Sequence, residues 1–476
     1  MDQLRTPLYE ALMKHVKQNP VSFHVPGHKN GNLFLKEASQ LFSNLLKYDQ
    51  TELRGLDDLH QPEGAINEAQ ILAAELYKVK RTFFLVNGST SGNLAMILSA
   101  CKPGKSILVQ RNSHKSVMHG LQLAGAKPIF FSPEFDKETG RYSIVNVETI
   151  KAAIEKYPDI KAIVLTYPDY FGSTYDLTSI VEYAHNRGIP VLVDEAHGAH
   201  FVLGDPFPKS AIECGADLII HSAHKTLPAM TMGSYLHFQS DLIDEKTVQH
   251  YLQIVQSSSP SYLIMASLDL ARKYVAQYSE KDKDNLLKQI DRLRELLKTF
   301  PLWDVENIRT HIDDPLKITL TSNQFSMTKV ERWLNDNGIY PEMVQNNQLL
   351  LIAGLEFDDA TIKQVERLKD VAHDDLTGIN RGTMNDKWYK NTINELPISY
   401  DKLQKLNIEW LHWDEAVGQL AAESIIPYPP GIPFLLKGEM IEKEHVQWIQ
   451  EAINEKIYLQ YNGKSLAEGI EVFRID

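Results

Sequence analysis

The chain has 476 residues, 43% of them hydrophobic and 23% charged, which is the composition of a globular protein with a sizeable core. Its length favours two or three domains over one, and its formal net charge of −13 argues against nucleic-acid binding, because a phosphate backbone would be repelled. Two cysteines are too few for a disulfide framework, and no stretch is typical of a leader or a membrane span. We therefore expect a cytoplasmic protein that does not bind membranes.

The N-terminal part is predicted to alternate between helices and strands. Residues 1–20 carry leucines at helical spacing, and two segments rich in turn formers, 22–31 and 53–66, follow. Beyond them, helices are expected at 67–79, 116–124 and 179–187. Strands are expected at 82–86, 107–110, 128–131, 162–166, 190–194, 217–221 and 234–238. This alternation is typical of an α/β fold with a mostly parallel sheet and helices on both faces.

The pattern changes near residue 285, where a long charged helix begins. Shorter strands at 317–321 and 348–353 and helices at 359–373 and 411–423 are predicted beyond it. We therefore expect three parts, which are an N-terminal helix and arm (1–30), a large α/β domain (31–295) and a smaller α+β domain (296–476).

Polar residues follow three of the predicted strands. In the first segment, NGSTSGN (87–93), the start of a helix and the hydroxyls of Ser89, Thr90 and Ser91 can bind an anion, although the same residues also suit a simple helix cap. In the second segment, Asp194 ends a strongly apolar strand, where open α/β sheets place their ligands. A structural aspartate is the alternative there.

The third segment contains Lys225, which comes directly after a strand and after Ser222 and His224. A buried lysine has a lowered pKa and can attack a carbonyl group, whereas an exposed loop lysine needs no such role. Together, an anion site, a carboxylate and a lysine amine match the phosphate, the ring nitrogen and the aldehyde of pyridoxal phosphate (PLP). His114, in a fourth segment that follows a strand, could stack on the cofactor ring.

The sequence resembles the Orn/Lys/Arg decarboxylases, a family of fold-type I PLP enzymes. The motifs that carry the resemblance occur between residues 22 and 439 in the family's order: FHVPGHKNG, LDDLHQPEGAI, NGSTSGN, RNSHKSVMHG, TYPDYFG, VDEAHGAH, SAHKTLPAMT and YPPGIPFLLKGE. The resemblance implies an aspartate-aminotransferase-like large domain and a smaller C-terminal domain. The chain is similar to the short biosynthetic arginine decarboxylases, since no room precedes the motifs for the wing domain of larger members. One departure is Met232, where the family pattern has glutamine.

The resemblance also implies roles for particular residues. The phosphate would be bound by hydroxyls and an imidazole, those of Ser89, Thr90, Ser91, Ser222 and His224. The ring would be contacted by His114, Asp194 and His197, and Lys225 would form the Schiff base. Lys225 or His224 would protonate Cα. The substrate would be contacted by His28, Glu63 and Glu439, although Glu439 could equally be a solvated loop residue.

The function implied by the resemblance is decarboxylation of a basic L-amino acid for polyamine biosynthesis, in a homodimer with shared active sites. Arginine is favoured, with lysine and ornithine as alternatives. Three other interpretations stay open at this point. They are a fold-type I aminotransferase or Cβ lyase, a non-catalytic binding protein on a PLP fold, and a metal site built from histidine pairs. No cysteine pair supports the last of these, so we expect no metal.

Overall fold

The computed structural model describes residues 1–371, 376 and 393–475. Its helices are α1 (Pro7–Lys17), α2 (Ser39–Leu45), α3 (Ala65–Tyr77), α4 (Gly88–Ala100), α5 (Lys115–Leu123), α6 (Val147–Lys156), α7 (Leu177–His185), α8 (Ala223–Thr226), α9 (Glu245–Val255), α10 (Tyr262–Gln277), α11 (Glu280–Lys298), α12 (Met327–Asp336), α13 (Asp359–Arg367), α14 (Tyr400–Leu403), α15 (Trp413–Ala416) and α16 (Lys443–Asn454).

Its strands are β1 (Arg81–Leu85), β2 (Ser106–Gln110), β3 (Lys127–Phe131), β4 (Glu134–Asp136), β5 (Arg141–Ile144), β6 (Ile163–Thr166), β7 (Val191–Asp194), β8 (Leu218–His221), β9 (Ser234–Phe238), β10 (Asp304–Val305), β11 (Lys317–Thr321), β12 (Met343–Gln345), β13 (Gln348–Ile352), β14 (Ile393–Glu395), β15 (Ile408–His412), β16 (Leu420–Ala421), β17 (Ile426–Pro427), β18 (Leu459–Gln460) and β19 (Gly469–Phe473).

The chain divides into two compact units that interleave in sequence. The first unit comprises Met1–Ser99, Pro190–Gly204 and Lys209–Glu280. The second comprises Ala100–Ile189, Asp205–Pro208 and Lys281–Asp476. The domain boundaries expected at residues 30 and 295 stay predictions.

The first unit is built on strands in the order β1-β9-β8-β7. Strand β7 runs parallel to β8, whereas β9 runs antiparallel to both β8 and β1. Every residue of β7 and β8 is buried, which explains their continuous apolar sequences. Because β7 and β8 are parallel, their carboxyl ends meet at one edge of the sheet, and Asp194 lies opposite Ile220 there.

Helix α4 begins three residues after β1 and packs tightly on this sheet. Gly88, its first residue, has φ +72°, a left-handed conformation that glycine adopts without strain. At Gly92 a Cβ atom would lie only 2.6 Å from Ile220 Cδ1 and 2.8 Å from Leu85 Cδ1. A larger residue at position 92 would therefore force the Ile220 and Leu85 side chains to shift.

The second unit contains strands in the order β6-β2-β3-β14, with β2 parallel to both β3 and β6. A separate antiparallel sheet, β10-β11-β13-β12, shares an apolar core with α11 and α12 around Leu297, Ile318 and Val330. A third sheet, β15-β19-β16, contributes to a core with Trp413 and Trp448. Strands and helices thus occur in both units, and the predicted α/β class is confirmed.

The sequence-based expectations fail in one place and are incomplete in others. The prediction of one helix at 411–423 is wrong, because β15, the single-turn helix α15 and β16 occupy that segment. Pairing of β15 and β16 with β19 overrides the helical spacing of the apolar residues. Of the helix predicted at 359–373, α13 accounts for Asp359–Arg367, and residues 372–373 lie outside the described residues.

Candidate active site

Three serine hydroxyls of the first unit converge at the start of α4. Ser89 Oγ lies 2.6 Å from Ser222 Oγ and 3.2 Å from Ser234 Oγ. Ser222 follows β8 and Ser234 begins β9, so three separate elements supply these groups. Ser91 instead donates its hydroxyl to the carbonyl oxygen of Gly88 at 2.8 Å, within the first turn of the helix.

The other residues of this segment differ in their exposure. Thr90 is exposed on the first turn of α4, and Ser89 is partly buried. Met232, where the sequence departs from the family pattern, has φ +75° and accepts a hydrogen bond through its carbonyl oxygen from Gly88 N at 3.0 Å. The backbone of Met232 therefore helps to hold the loop that leads into α4. Its side chain is half-exposed.

Asp194 presents a buried carboxylate at the end of β7. Its side chain is held by Asn93, whose Nδ2 donates to Oδ2 at 2.8 Å, and by Ala196 N, which donates to Oδ1 at 3.3 Å. Burial raises the pKa of Asp194 above its usual value, while the Lys225 amine and the Asn93 amide act in the opposite direction. The carboxylate is thus oriented and withdrawn from water.

Lys225 lies on the short helix α8, which follows β8 directly. Its Nζ is 3.0 Å from Nε2 of the buried His197. The neighbouring His224 places Nδ1 3.0 Å from the carbonyl oxygen of Gly233. Burial lowers the pKa of His224, and the nearby Lys225 lowers it further against the opposing effect of the Gly233 bond. The arrangement favours a neutral imidazole beside the lysine amine.

His114 belongs to the second unit and caps α5. Its Nδ1 accepts from Ser116 N at 3.2 Å and lies 2.7 Å from Ser116 Oγ. The ring also packs against the backbone at Gly431, where a Cβ atom would lie 3.1 Å from two ring atoms. These contacts fix the imidazole, and its stacking on a cofactor ring stays a prediction.

The predicted substrate residues lie in different surroundings. In the first unit, His28 Nε2 is 3.3 Å from Asp49 Oδ2, and Gly31 N donates to His28 Nδ1. Glu63 is exposed and lines a pocket of about 260 Å³ together with Gln70 and other residues of this unit. Neither residue has a contact that assigns its role, so both roles stay predictions.

Glu439 lies in the second unit and is partnered within it. Its Oε2 accepts from Arg111 Nη2 at 3.0 Å and from Leu436 N at 2.9 Å. The Arg111 guanidinium therefore compensates the charge that was expected to meet the distal cation of a substrate. Contact of Glu439 with substrate stays a prediction.

Sequence reasoning missed two residues of the first-unit site. Ser234 joins the serine cluster and Asn93 holds Asp194. Asn93 is the last residue of the NGSTSGN segment, about one helical turn beyond Ser89, so helical periodicity offered a signal for it. Ser234 begins an ordinary strand and carried no comparable signal.

Two family models match the chain. The model described as "Orn/Lys/Arg decarboxylase, major domain" matches residues 6–319, and the one described as "Orn/Lys/Arg decarboxylase, C-terminal domain" matches residues 391–456. The chain belongs to the Orn/Lys/Arg decarboxylase family. It is therefore a PLP-dependent amino acid decarboxylase, as the sequence motifs predicted.

Relatives in this family match along nearly the whole chain. An uncharacterized protein of Bacillus subtilis, YaaO, is 46% identical over 470 residues, which is 97% of each chain. An arginine decarboxylase of Bacillus subtilis is 34% identical over 494 residues, covering 100% of this chain and 99% of the relative.

Solved structures show the same fold. The lysine decarboxylase LdcF of Francisella novicida has a TM-score of 0.80 at 20% identity, with 99% of this chain and 81% of that chain covered. A serine palmitoyltransferase of Sphingomonas wittichii has a TM-score of 0.52 at 19% identity, covering 70% of this chain and 82% of that one. The expected fold-type I architecture is confirmed.

The residues of the first unit fit the cofactor of this family. The serine hydroxyls at the start of α4 suit a phosphate, the buried carboxylate of Asp194 suits a protonated ring nitrogen, and the Lys225 amine suits an aldehyde. Among residues 1–371, 376 and 393–475, no group of three or more histidine, cysteine or acidic side chains is arranged to hold a metal ion. In the same residues, no helix has the length and apolarity needed to cross a bilayer.

Proposed function

We propose that this decarboxylase acts on a basic L-amino acid, with arginine as the substrate and agmatine as the product. The observation that carries the proposal is the 34% identity, along the full chain, to a relative named arginine decarboxylase. Similarity to lysine decarboxylase structures supports only the fold, because the identity there is 20% or less. Lysine and ornithine are the alternative substrates.

The proposed cofactor contacts follow the geometry of the first unit. Ser89 and Ser222, with Ser234 beside them, bind the phosphate, together with Thr90 and the start of α4. Asp194 holds a proton on the ring nitrogen, since its carboxylate is buried and oriented by a hydrogen bond. The predicted contacts of Ser91, His114, His197 and His224 with the cofactor belong to the same proposal.

When bound, PLP supplies an electron sink for the Cα bond that breaks. The Nζ amine of Lys225 would hold the cofactor. After carbon dioxide leaves, Cα needs a proton, and Lys225 or His224 donates it. His197, 3.0 Å from Lys225 Nζ, orients the amine between these two tasks.

A two-fold homodimer with shared active sites completes the proposal, with an interface on the order of 2,000 Å² or more. Residues 21–45 of the first unit support it, because they carry an unusual number of exposed apolar side chains. Phe23 is 95% exposed, Val21 80% and Leu41 73%. A concentration of apolar surface such as this marks an interaction site. We place His28 and Glu63 at the partner's pocket, Glu439 at the distal end of the substrate, and the enzyme in cytoplasmic polyamine biosynthesis.

The test is an assay of carbon dioxide release from arginine, lysine and ornithine in parallel, with identification of the organic product. The proposal predicts agmatine from arginine at the highest kcat/KM. A keto acid product would favour an aminotransferase, and a product cleaved at Cβ would favour a lyase. Release from lysine or ornithine with none from arginine would refute the proposed substrate and leave the family assignment intact.

A further inference from the structure

A network of buried hydrogen bonds crosses the sheet of the first unit beside the candidate site. Thr82 Oγ1 on β1 lies 2.9 Å from His237 Nδ1 on β9. His237 Nε2 lies 3.1 Å from His221 Nδ1 on β8, and His221 Nε2 lies 2.8 Å from Oε2 of Glu195, the residue after β7. All four side chains have no exposed surface. We call these four residues the cross-strand network.

At one end of the network, the carboxylate of Glu195 accepts hydrogen bonds from several donors. Glu195 also accepts from Ser210 Oγ at 2.7 Å and from Ala211 N at 2.9 Å. A carboxylate only accepts hydrogen bonds, so the imidazole of His221 donates through Nε2. Burial, and then the neighbouring His221, lower the pKa of His237 well below its usual value. A fully satisfied network in a low-dielectric interior fixes the elements that it joins.

At strands β7 and β8, the network residues Glu195 and His221 lie on one face of the sheet and the candidate site lies on the other. Successive strand residues point to opposite faces. Glu195 directly follows Asp194, and His221 directly precedes Ser222. Ser222 contacts Ser89 at the start of α4, whereas the His221 ring packs against Tyr77 of α3, with ring centroids 5.3 Å apart.

The bond between Glu195 and His221 also extends the pairing of the two strands. The register of β7 and β8 runs through three residue pairs and ends at Asp194 and Ile220. Glu195 and His221 are the next pair in that register, and their side chains are joined where the strand pairing ends. This bond therefore ties together the two backbone segments from which Asp194 and Ser222 project.

We propose that Glu195 and His221 are positioning residues, whose bond sets the spacing between Asp194 and Ser222 at which one cofactor molecule contacts both. The proposal rests on the proposed function, which places the ring nitrogen at Asp194 and the phosphate at Ser222. A cofactor bound at two points tolerates little relative movement of those points, because displacement of either weakens the fit of both. Neither Glu195 nor His221 needs to touch the cofactor for this effect.

The experiment compares PLP binding by the apo-forms of four full-length proteins. They are the wild type, His221→Leu, His221→Gln and Thr82→Val. His221→Leu removes the donor to Glu195. His221→Gln restores it, because an amide donates to Glu195 and accepts from His237. Thr82→Val is the matched control, since it removes one bond of the same network at β1, away from the ends of β7 and β8.

We expect the PLP dissociation constant to rise roughly ten- to hundredfold in His221→Leu, since a misplacement of about 1 Å can cost up to about a hundredfold in a site. The absorbance spectrum of bound PLP should change in the same variant. His221→Gln should stay within about threefold of the wild type, as rescue by a conservative residue requires. Thr82→Val should lower the melting temperature and leave both the dissociation constant and the spectrum unchanged.

If His221→Leu does not fold, Glu195→Met takes its place, because it approximates the volume of the glutamate and removes the acceptor of the bond from His221. A variant that melts earlier but binds PLP with wild-type affinity and spectrum would overturn the proposal and leave the network a purely structural role. The outcome is independent of the substrate. A wild type that binds PLP but decarboxylates no basic amino acid would refute the proposed function, and the binding comparison would still stand.

Discussion

Replacing Asp194 with asparagine should separate catalysis from stability. The side chain is 5% exposed, and its two oxygens accept from Asn93 Nδ2 at 2.8 Å and from Ala196 N at 3.3 Å. An asparagine has nearly the same shape and can turn its carbonyl oxygen toward Asn93, so it loses only the longer bond. The main change is therefore the loss of one buried negative charge.

Turnover should fall about 10²- to 10³-fold, or about 2.7–4 kcal/mol, the usual effect of removing one electrostatic partner from a developing charge. The stability of the folded apo-protein should not fall in Asp194→Asn. Burial raises the pKa of Asp194. At neutral pH the folded state therefore carries the cost of burying an ionised carboxylate, which is exposed to water in the unfolded state. The apo-variant should therefore melt at the wild-type temperature or above it.

The assay is kcat for carbon dioxide release at saturating PLP, with the melting temperature of the apo-protein measured alongside. Asp217→Asn is the matched control. Asp217 is also buried in the first unit, but it precedes β8 and accepts from Val191 N at 2.7 Å, away from the site. It should lower stability and leave kcat unchanged. An Asp194→Asn enzyme with kcat within about threefold of the wild type would refute the role of the carboxylate in catalysis.

Three further changes test other parts of the account. Gly92→Ala should lower the free energy of unfolding, measured in urea, by about 1–3 kcal/mol through overpacking, because its Cβ would lie 2.6 Å from Ile220 Cδ1. An unchanged free energy of unfolding would contradict the packing of α4. Burial lowers the pKa of His237 in the folded state, so the free energy of unfolding should decrease as pH falls below about 6.5. His237→Gln should reduce the slope of unfolding free energy against pH by up to about 1.4 kcal/mol per pH unit. Equal slopes in the two proteins would show that folding does not lower the pKa of His237. Mixing inactive Lys225→Ala chains with inactive His28→Ala chains should restore activity through one intact site per mixed dimer, and no recovery would place both residues in the same pocket.

The sequence predicted those parts of the fold that depend on local pattern. Strands β7 and β8 are continuous apolar runs followed or ended by polar residues, so both strands were predicted from the sequence, while the site roles of Asp194 and Ser222 stay predictions. The segment 411–423 was predicted wrongly because its strands depend on pairing with β19, more than 45 residues away. A hairpin, β4 with β5, was also not foreseen.

Side-chain partners from distant segments were beyond the reach of sequence pattern. Ser234 meets Ser89 across 145 residues, and Arg111 meets Glu439 across 328. The bond between Glu195 and His221 spans 26 residues and depends on the parallel register of β7 and β8. A histidine that precedes SAHK in the sequence gives no sign of which face of the sheet it occupies. Only the three-dimensional arrangement separates the site face from the network behind it.

The most direct test of the central claim is to locate the covalent attachment of PLP. The PLP-loaded enzyme is reduced with borohydride and digested, and the pyridoxyl-bearing peptide is identified by mass spectrometry. We expect a single modified residue, Lys225, together with loss of the label and of turnover in Lys225→Ala. A label on another lysine, or a Lys225→Ala protein that still retains reducible PLP and turnover, would contradict it.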